Sequence, residues 1–149
     1  MSNHSEGLDI TGKLVIRKNG KVVREVKNLV VDDGKGYVAD RMKTNSTVMN
    51  AMAVGTSNQA AAADDSALVG TELGRVTGPT NFTTSVNTNN KTVTYTGNFG
   101  ANVGTGSIQE AGIFNHATTG GTMLCRTTFA VVTKGASDTL SIDWVITIS

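Results

Sequence analysis

The C-terminal segment, residues 139–149, alternates apolar and polar side chains, and this pattern constrains the fold more than any other feature. Successive side chains of a β-strand point to opposite faces, so alternation places one face in a core and the other in water. The segment therefore predicts a half-buried strand, with Val145 as the one apolar residue on its polar face. The apolar face consists of Leu140, Ile142, Trp144 (the one tryptophan of the chain), Ile146 and Ile148.

A second segment shows the same alternation and extends the prediction to the whole chain. Val93, Tyr95 and Phe99 are apolar, and threonine or asparagine separates them. The chain has 17 Gly and only 1 Pro, and threonine is frequent throughout, a composition that favours strands joined by glycine and asparagine turns. These patterns predict a mostly β protein, an antiparallel β-sandwich or jelly roll with residues 91–148 at its centre.

The first strands are predicted to form a hairpin. Residues 14–17 and 22–26 are rich in β-branched residues and flank Asn19-Gly20, a strong two-residue turn signal. This turn would place Ile16 opposite Val23. We therefore expect the core-facing side to carry Leu14, Ile16 and Val23. The other side, with Val15, Val22 and Val26 among arginines, would be half covered by another strand of the domain or by a neighbouring subunit.

One short helix is predicted after this hairpin, at residues 32–42, capped by Asp32 or Asp33 and lying across an open end of the β-structure. Residues 57–66 lack periodicity and predict a long loop, with Asp65 or Ser66 capping a single turn. Residues 1–9 are polar and predict a flexible N-terminal arm, whereas residues 10–149 are predicted to form a single β-sandwich domain.

The charge balance excludes some partners. The formal net charge is +1, which gives no electrostatic basis for binding nucleic acid. No segment has the length or apolar character of a membrane span or of a signal peptide. Six basic residues do concentrate early in the chain, where they indicate a solvated face or a contact with an acidic partner. They are Lys13, Arg17, Lys18, Lys21, Arg24 and Lys27.

The residues that could support catalysis are few and separated. His4 lies in the predicted arm, His116 in a turn, and Cys125 in an apolar run that predicts a buried, inert thiol. One cysteine and two distant histidines cannot form a zinc site. Glu110 is either a carboxylate at a sheet edge, bonded to a turn or to Arg126 on the partner strand, or a catalytic acid with no second carboxylate. The sequence thus predicts a non-enzymatic protein without cofactor or metal.

Other motifs also have simpler structural interpretations. Asp32-Asp33 and Asp64-Asp65 are adjacent pairs whose side chains point apart, which suits capping better than calcium binding. Gly104-Thr105-Gly106 resembles part of a dinucleotide-binding loop, but the segment that follows has strand character where such a loop needs a helix.

A series of short motifs runs through most of residues 28–148. They are NLVV at 28–31, GYVA at 36–39, AVGT at 53–56, DDSAL at 64–68, EL at 72–73, RV at 75–76, VTY at 93–95, FG at 99–100, IQEAGIFN at 108–115, GTMLCRT at 121–127 and DTLSIDW at 138–144. Together they resemble a group of small virion proteins of tailed bacteriophages. Cys125 departs from the alanine of that pattern, a conservative change in a core position.

The resemblance implies a structural component of a virus particle. The leading interpretation is a capsid decoration (cement) protein that binds the major capsid protein on the outer shell as a homo-oligomer, with a trimer favoured. The alternative is a tail, neck or fibre-associated protein. A carbohydrate-binding or carbohydrate-acting domain is disfavoured because sugar sites need exposed aromatics and paired carboxylates, and only 1 Trp, 2 Tyr and 4 Phe are present.

Overall fold

The computed structural model describes residues 8–149, which form nine strands and one helix. The elements are β1 (Ile10–Lys18), β2 (Lys21–Val30), α1 (Asp32–Arg41), β3 (Ala51–Gly55), β4 (Glu72–Thr77), β5 (Phe82–Asn87), β6 (Thr92–Phe99), β7 (Gly106–Phe114), β8 (Met123–Lys134) and β9 (Leu140–Ile148). All strand pairs are antiparallel, and the strand order is β4-β3-β7-β8-β2-β1-β9-β6-β5.

This sheet curls into a nearly closed, barrel-like sandwich, which confirms the prediction of a mostly β antiparallel fold with one short helix. The sheet bends between β2 and β8, where only Leu29↔Arg126 and Val30↔Cys125 are paired. Beyond these pairs the guanidinium of Arg24 joins the two strands, because its Nε and Nη2 donate to the carbonyls of Ala130 and Val131 at 3.0 and 2.7 Å. A side chain thus replaces backbone pairing at the bend.

The predicted hairpin is confirmed, but its register differs from the expectation. Asn19 and Gly20 both have positive φ (51° and 83°), as a two-residue hairpin turn of this type requires. The register shifts between Ile16 and Arg17, so Ile16 pairs with Arg24 and the predicted pairing with Val23 is wrong. This bulge reverses the alternation along β2. Val26 therefore packs against the core, although the sequence placed it on the opposite face.

The C-terminal strand is placed as predicted. Ile142 and Trp144 are fully buried, and Leu140 and Ile146 are buried between the two layers of the sandwich. Trp144 lies opposite Leu14 on one neighbouring strand and opposite Tyr95 on the other. The core therefore forms around the strand that the sequence pattern identified first.

Helix α1 packs against β8. Gly34 makes the close approach possible, because a Cβ atom there would lie 2.1 Å from the carbonyl oxygen of Leu124. Tyr37 and Val38 pack against the main core. The predicted cap is wrong: Val31 is the N-cap residue and no side chain caps the helix, while Asp32 and Asp33 lie in its first turn, where carboxylates interact favourably with the helix dipole.

The predicted N-terminal arm falls largely outside the described residues, since the structure describes the chain from Leu8. Asp9, the last residue assigned to the arm, exchanges two backbone hydrogen bonds with Ser149 at 2.7 and 2.9 Å. This residue therefore continues the pairing of β1 with β9.

Candidate functional site

The connection between β3 and β4, residues 56–71, lies over the outer face of β3, β7 and β8. Leu68 packs there against a small apolar cluster that includes Phe114 and Met123. The loop also meets the start of α1, where the Asp32 N–H donates to the Ala63 carbonyl at 2.7 Å. This confirms the predicted long loop. We call residues 56–71 the anchored loop, for the contacts described below.

Glu110 is the main anchor of this loop. Its side chain projects from β7 on the outer face and is completely buried. One carboxylate oxygen, Oε2, accepts backbone N–H bonds from Ser57 and Gly70 at 2.6 and 2.8 Å. The other, Oε1, accepts the N–H of Val69 at 2.8 Å. A single carboxylate therefore holds both ends of the loop.

Arg126 supplies the charge opposite Glu110 and a third attachment to the loop. It projects from β8, also fully buried, with its Nε 3.4 Å from Oε1 of Glu110. Its Nη1 lies 3.0 Å from Oδ2 of Asp65, and its Nη2 donates to the Gln59 carbonyl at 3.0 Å. The three charged residues form a chain from the strands into the middle of the loop.

The contacts of Glu110, Arg126 and Asp65 fix the conformation of the anchored loop. Removing two charges from water carries a large desolvation penalty, and a buried ion pair recovers it only with good geometry and additional hydrogen bonds. The loop supplies those bonds through three N–H groups and one carbonyl. Glu110 and Arg126 are therefore satisfied only when residues 57–70 occupy this position.

The structure shows the contacts that the structural interpretation of Glu110 predicts. The predicted bonds to a connecting segment and to Arg126 are both present. The strand is not an edge strand, because β7 lies between β3 and β8. The sequence did not indicate the third member: Asp65 was expected to cap a helical turn, but its carboxylate binds Arg126 and the Ala62 N–H instead. Its position in an irregular loop gave no signal of a partner 61 residues away.

Arg75 fixes the neighbouring connection between β7 and β8 through a second set of side-chain contacts. The guanidinium of Arg75, on β4, lies over the ring of Phe114 at 4.3 Å from its centroid. Its Nη1 donates to the carbonyls of His116 and Gly120 at 2.8 and 3.1 Å, and its Nη2 lies 2.8 Å from Glu72 Oε1. Two connections on this side of the sandwich are thus fixed by arginine side chains.

His116 and Cys125, the other groups that could support catalysis, have separate surroundings. His116 lies in the connection between β7 and β8, where its Nδ1 is 3.3 Å from the N–H groups of Thr118 and Thr119. Cys125 is fully buried, as predicted, and burial raises the pKa of its thiol well above the ordinary value. A raised pKa disfavours the thiolate, which is the nucleophilic form.

The remaining motifs occupy local structural positions. Within residues 8–149, no group of three or more His, Cys, Asp or Glu side chains is arranged to hold a metal ion. Gly104 lies against Val54 and Phe99 in the connection that leads into β7, a strand, as expected from the sequence. Asp32, Asp33 and Asp40 line a shallow concavity of about 440 Å³ between α1 and the connection after β7.

The early basic residues are mostly paired with nearby acceptors. Arg17 binds Asp143 at 2.8 Å, Lys18 lies 3.6 Å from Asp138, and Arg24 bridges to β8. Asn19 Nδ2 and the Gly135 N–H both donate to the Asp138 carboxylate, and these bonds hold its pKa below the ordinary value. This pattern agrees with the solvated-face interpretation of the hairpin.

The ten-residue helix α1 is the one helix within residues 8–149, and no helix of this region is long and apolar enough to span a membrane. The feature with the most elaborate side-chain support is the anchored loop.

Comparisons of the chain with protein-family models, with curated proteins and with solved structures gave no match.

Proposed function

We propose that this protein is a non-enzymatic structural protein of a bacteriophage virion that decorates the outer shell as an oligomer and stabilises it. The observation that carries the proposal is the anchored loop. A buried carboxylate and a buried guanidinium are used to hold a surface segment in one conformation. A surface that is ordered before binding loses less conformational entropy on association, which favours tight contact with a rigid partner such as a shell.

The composition of the loop suits a contact surface. Its exposed residues include Ala60, Ala63, Ala67 and Val69, whose short side chains lose little rotamer freedom when covered. Residues 56–71 contain no Lys, Arg or Glu, and their charged residues are Asp64 and Asp65. The loop therefore presents a smooth, weakly charged face. We assign this face to the contact with the major capsid protein.

The test is binding of the purified protein to expanded shells that lack it. We expect the full chain to co-sediment with the shells and to raise their temperature of heat disruption. Ala67→Lys places a long, charged side chain on the proposed contact and should reduce binding at least about tenfold, which corresponds to about 1.4 kcal/mol. Val22→Lys, at a position 52% exposed near the hairpin turn, is the matched control and should bind like the wild type.

Electron microscopy of tagged particles distinguishes the two virion locations. Label over the whole icosahedral shell agrees with decoration. Label confined to the tail or to one vertex, together with unchanged heat resistance of the shell, would replace decoration by a tail, neck or fibre-associated function. The absence of label from particles would reject a virion function altogether.

A further inference from the structure

Among the residues that the structure describes, the terminal strand β5 leaves one edge of the sheet unpaired. It pairs with β6 along all of Phe82–Asn87 without a break in register. In an antiparallel pair, alternate residues direct their N–H and C=O groups away from the partner strand. Within residues 8–149, no other backbone segment bonds to that side of β5. The side chains after Phe82 are exposed on both faces, so the strand projects from the sandwich.

This edge lacks the features that usually prevent strands from pairing with other chains. Such features are charged side chains, proline, bulges or a covering segment. Residues 82–87 contain no charge and no proline, and the uncharged stretch extends from residue 76 to residue 90. The other terminal strand, β4, carries the Glu72–Arg75 ion pair and packs closely at Gly74 against Gly104. The two edges of the sheet are therefore not equivalent.

An apolar groove of about 290 Å³ lies beside this edge. Its lining combines two residues of β5 and two of β6 with residues of α1 and of the segment after it. These residues are Thr84, Val86, Val93, Tyr95, Tyr37, Arg41, Val48 and Met49. Val86 is 63% exposed and Val48 is 53% exposed. An open strand edge next to an apolar groove is the arrangement that binds an added strand, because the backbone supplies hydrogen bonds and the groove accepts alternate side chains.

We propose that β5 pairs antiparallel with β5 of a second copy of this chain, about a two-fold axis. A second copy suits this edge, because residues 82–87 carry no charge that would repel an identical strand. A two-fold axis perpendicular to the sheet keeps each face aligned with the same face of the partner. Val86 then lies opposite Thr84 or Phe82 of the second copy, so this exposed side chain becomes covered. The interface is isologous and closes as a dimer.

This inference concerns the isolated chain and does not rest on attachment to a shell. It also differs from the trimer that the resemblance implies, since a single two-fold contact gives a dimer. The mass of the protein in solution therefore separates the two arrangements.

The experiment is sedimentation equilibrium of the full chain across a wide concentration range. We expect the wild type to fit a monomer–dimer equilibrium. Val86→Lys places two lysines close to the two-fold axis and should raise the dimer dissociation constant about tenfold or more. Val22→Lys introduces the same side chain at a similarly exposed position and should leave the constant unchanged. At concentrations where the wild type is monomeric, both variants should retain its melting temperature because both positions are exposed.

Hydrogen exchange provides a second measurement. Among residues 83–87, the amides that point away from β6 should become protected as the wild-type concentration rises, and Val86→Lys should remove this protection. A wild type that is monomeric at every concentration would overturn the proposal. A trimeric mass, or a Val86→Lys dissociation constant equal to that of the wild type, would also overturn it.

Discussion

Arg126→Met gives the most direct test of the anchored loop. The substitution keeps an unbranched side chain of similar length and removes the guanidinium. The Glu110 carboxylate would then be buried without a cation, and Asp65 would lose its partner. Removing one member of a buried ion pair costs about 3–5 kcal/mol, because the other charge is left uncompensated. This is a large fraction of the roughly 5–15 kcal/mol that stabilises a typical domain.

A double-mutant cycle separates the ion pair from the loop contacts. Glu110→Gln keeps the shape but replaces one acceptor oxygen with a donor, so at least one loop N–H loses its partner. We expect a cost of about 3 kcal/mol for this single change. The double variant should lose less than the sum of the two, by about 0.5–3 kcal/mol, because the pair is coupled. It should still be less stable than the wild type because the loop N–H groups have lost the carboxylate.

Urea unfolding followed by tryptophan fluorescence measures these differences. Trp144 is the one tryptophan and is fully buried, so its emission reports the core. Hydrogen exchange of the Ser57, Val69 and Gly70 amides reports loop release separately. Lys13→Met is the matched control: its ion pair with Glu25 is 3.7 Å long and both side chains are about 60% exposed, so the effect should stay within about 0.5 kcal/mol. An Arg126→Met variant within about 1 kcal/mol of the wild type would refute the anchoring argument.

Three further predictions concern packing and pH. Gly34→Ala should destabilise the domain by about 2 kcal/mol or more because its Cβ meets the Leu124 carbonyl. Gly36→Ala has open space around its Cβ and should stabilise the helix by about 0.5–1 kcal/mol. Equal urea midpoints for the two variants would contradict the packing of α1 against β8. Trp144→Ala should cost about 3–5 kcal/mol through the cavity it leaves, and wild-type-like melting would refute its placement in the core. Burial raises the pKa of the Cys125 thiol above its ordinary 9.0, so the unfolded chain loses this proton first and stability should fall as pH rises above about 9. Cys125→Ala should weaken that decline, as measured by urea midpoints at several pH values; an unchanged slope would argue against the buried thiol as its source.

The strands were the most predictable part of this protein. Alternation at residues 139–149 located β9 and its buried face, and Asn19-Gly20 located the first hairpin. These signals are local, because the side-chain period of a strand and the positive φ of a turn depend on adjacent residues. Val26 shows where the local signal ends. One bulge residue in the hairpin moved this side chain to the opposite face, and the hydrophobic pattern of β2 alone was compatible with either side.

The sequence by itself therefore determined the fold class, the first hairpin, the helix and the buried strand that carries Trp144. The tertiary structure alone decided where the charges of the anchored loop meet. Glu110 binds N–H groups 40 to 53 residues away, and Arg126 reaches Asp65 across 61 residues. It also decided that, within residues 8–149, β5 has an uncharged, unpaired edge, whereas β4 at the other edge carries the Glu72–Arg75 ion pair and packs against Gly104. The physical reason is that strand periodicity is a property of neighbouring residues, whereas burial of a charge and exposure of an edge depend on which distant segments the folded sheet brings together.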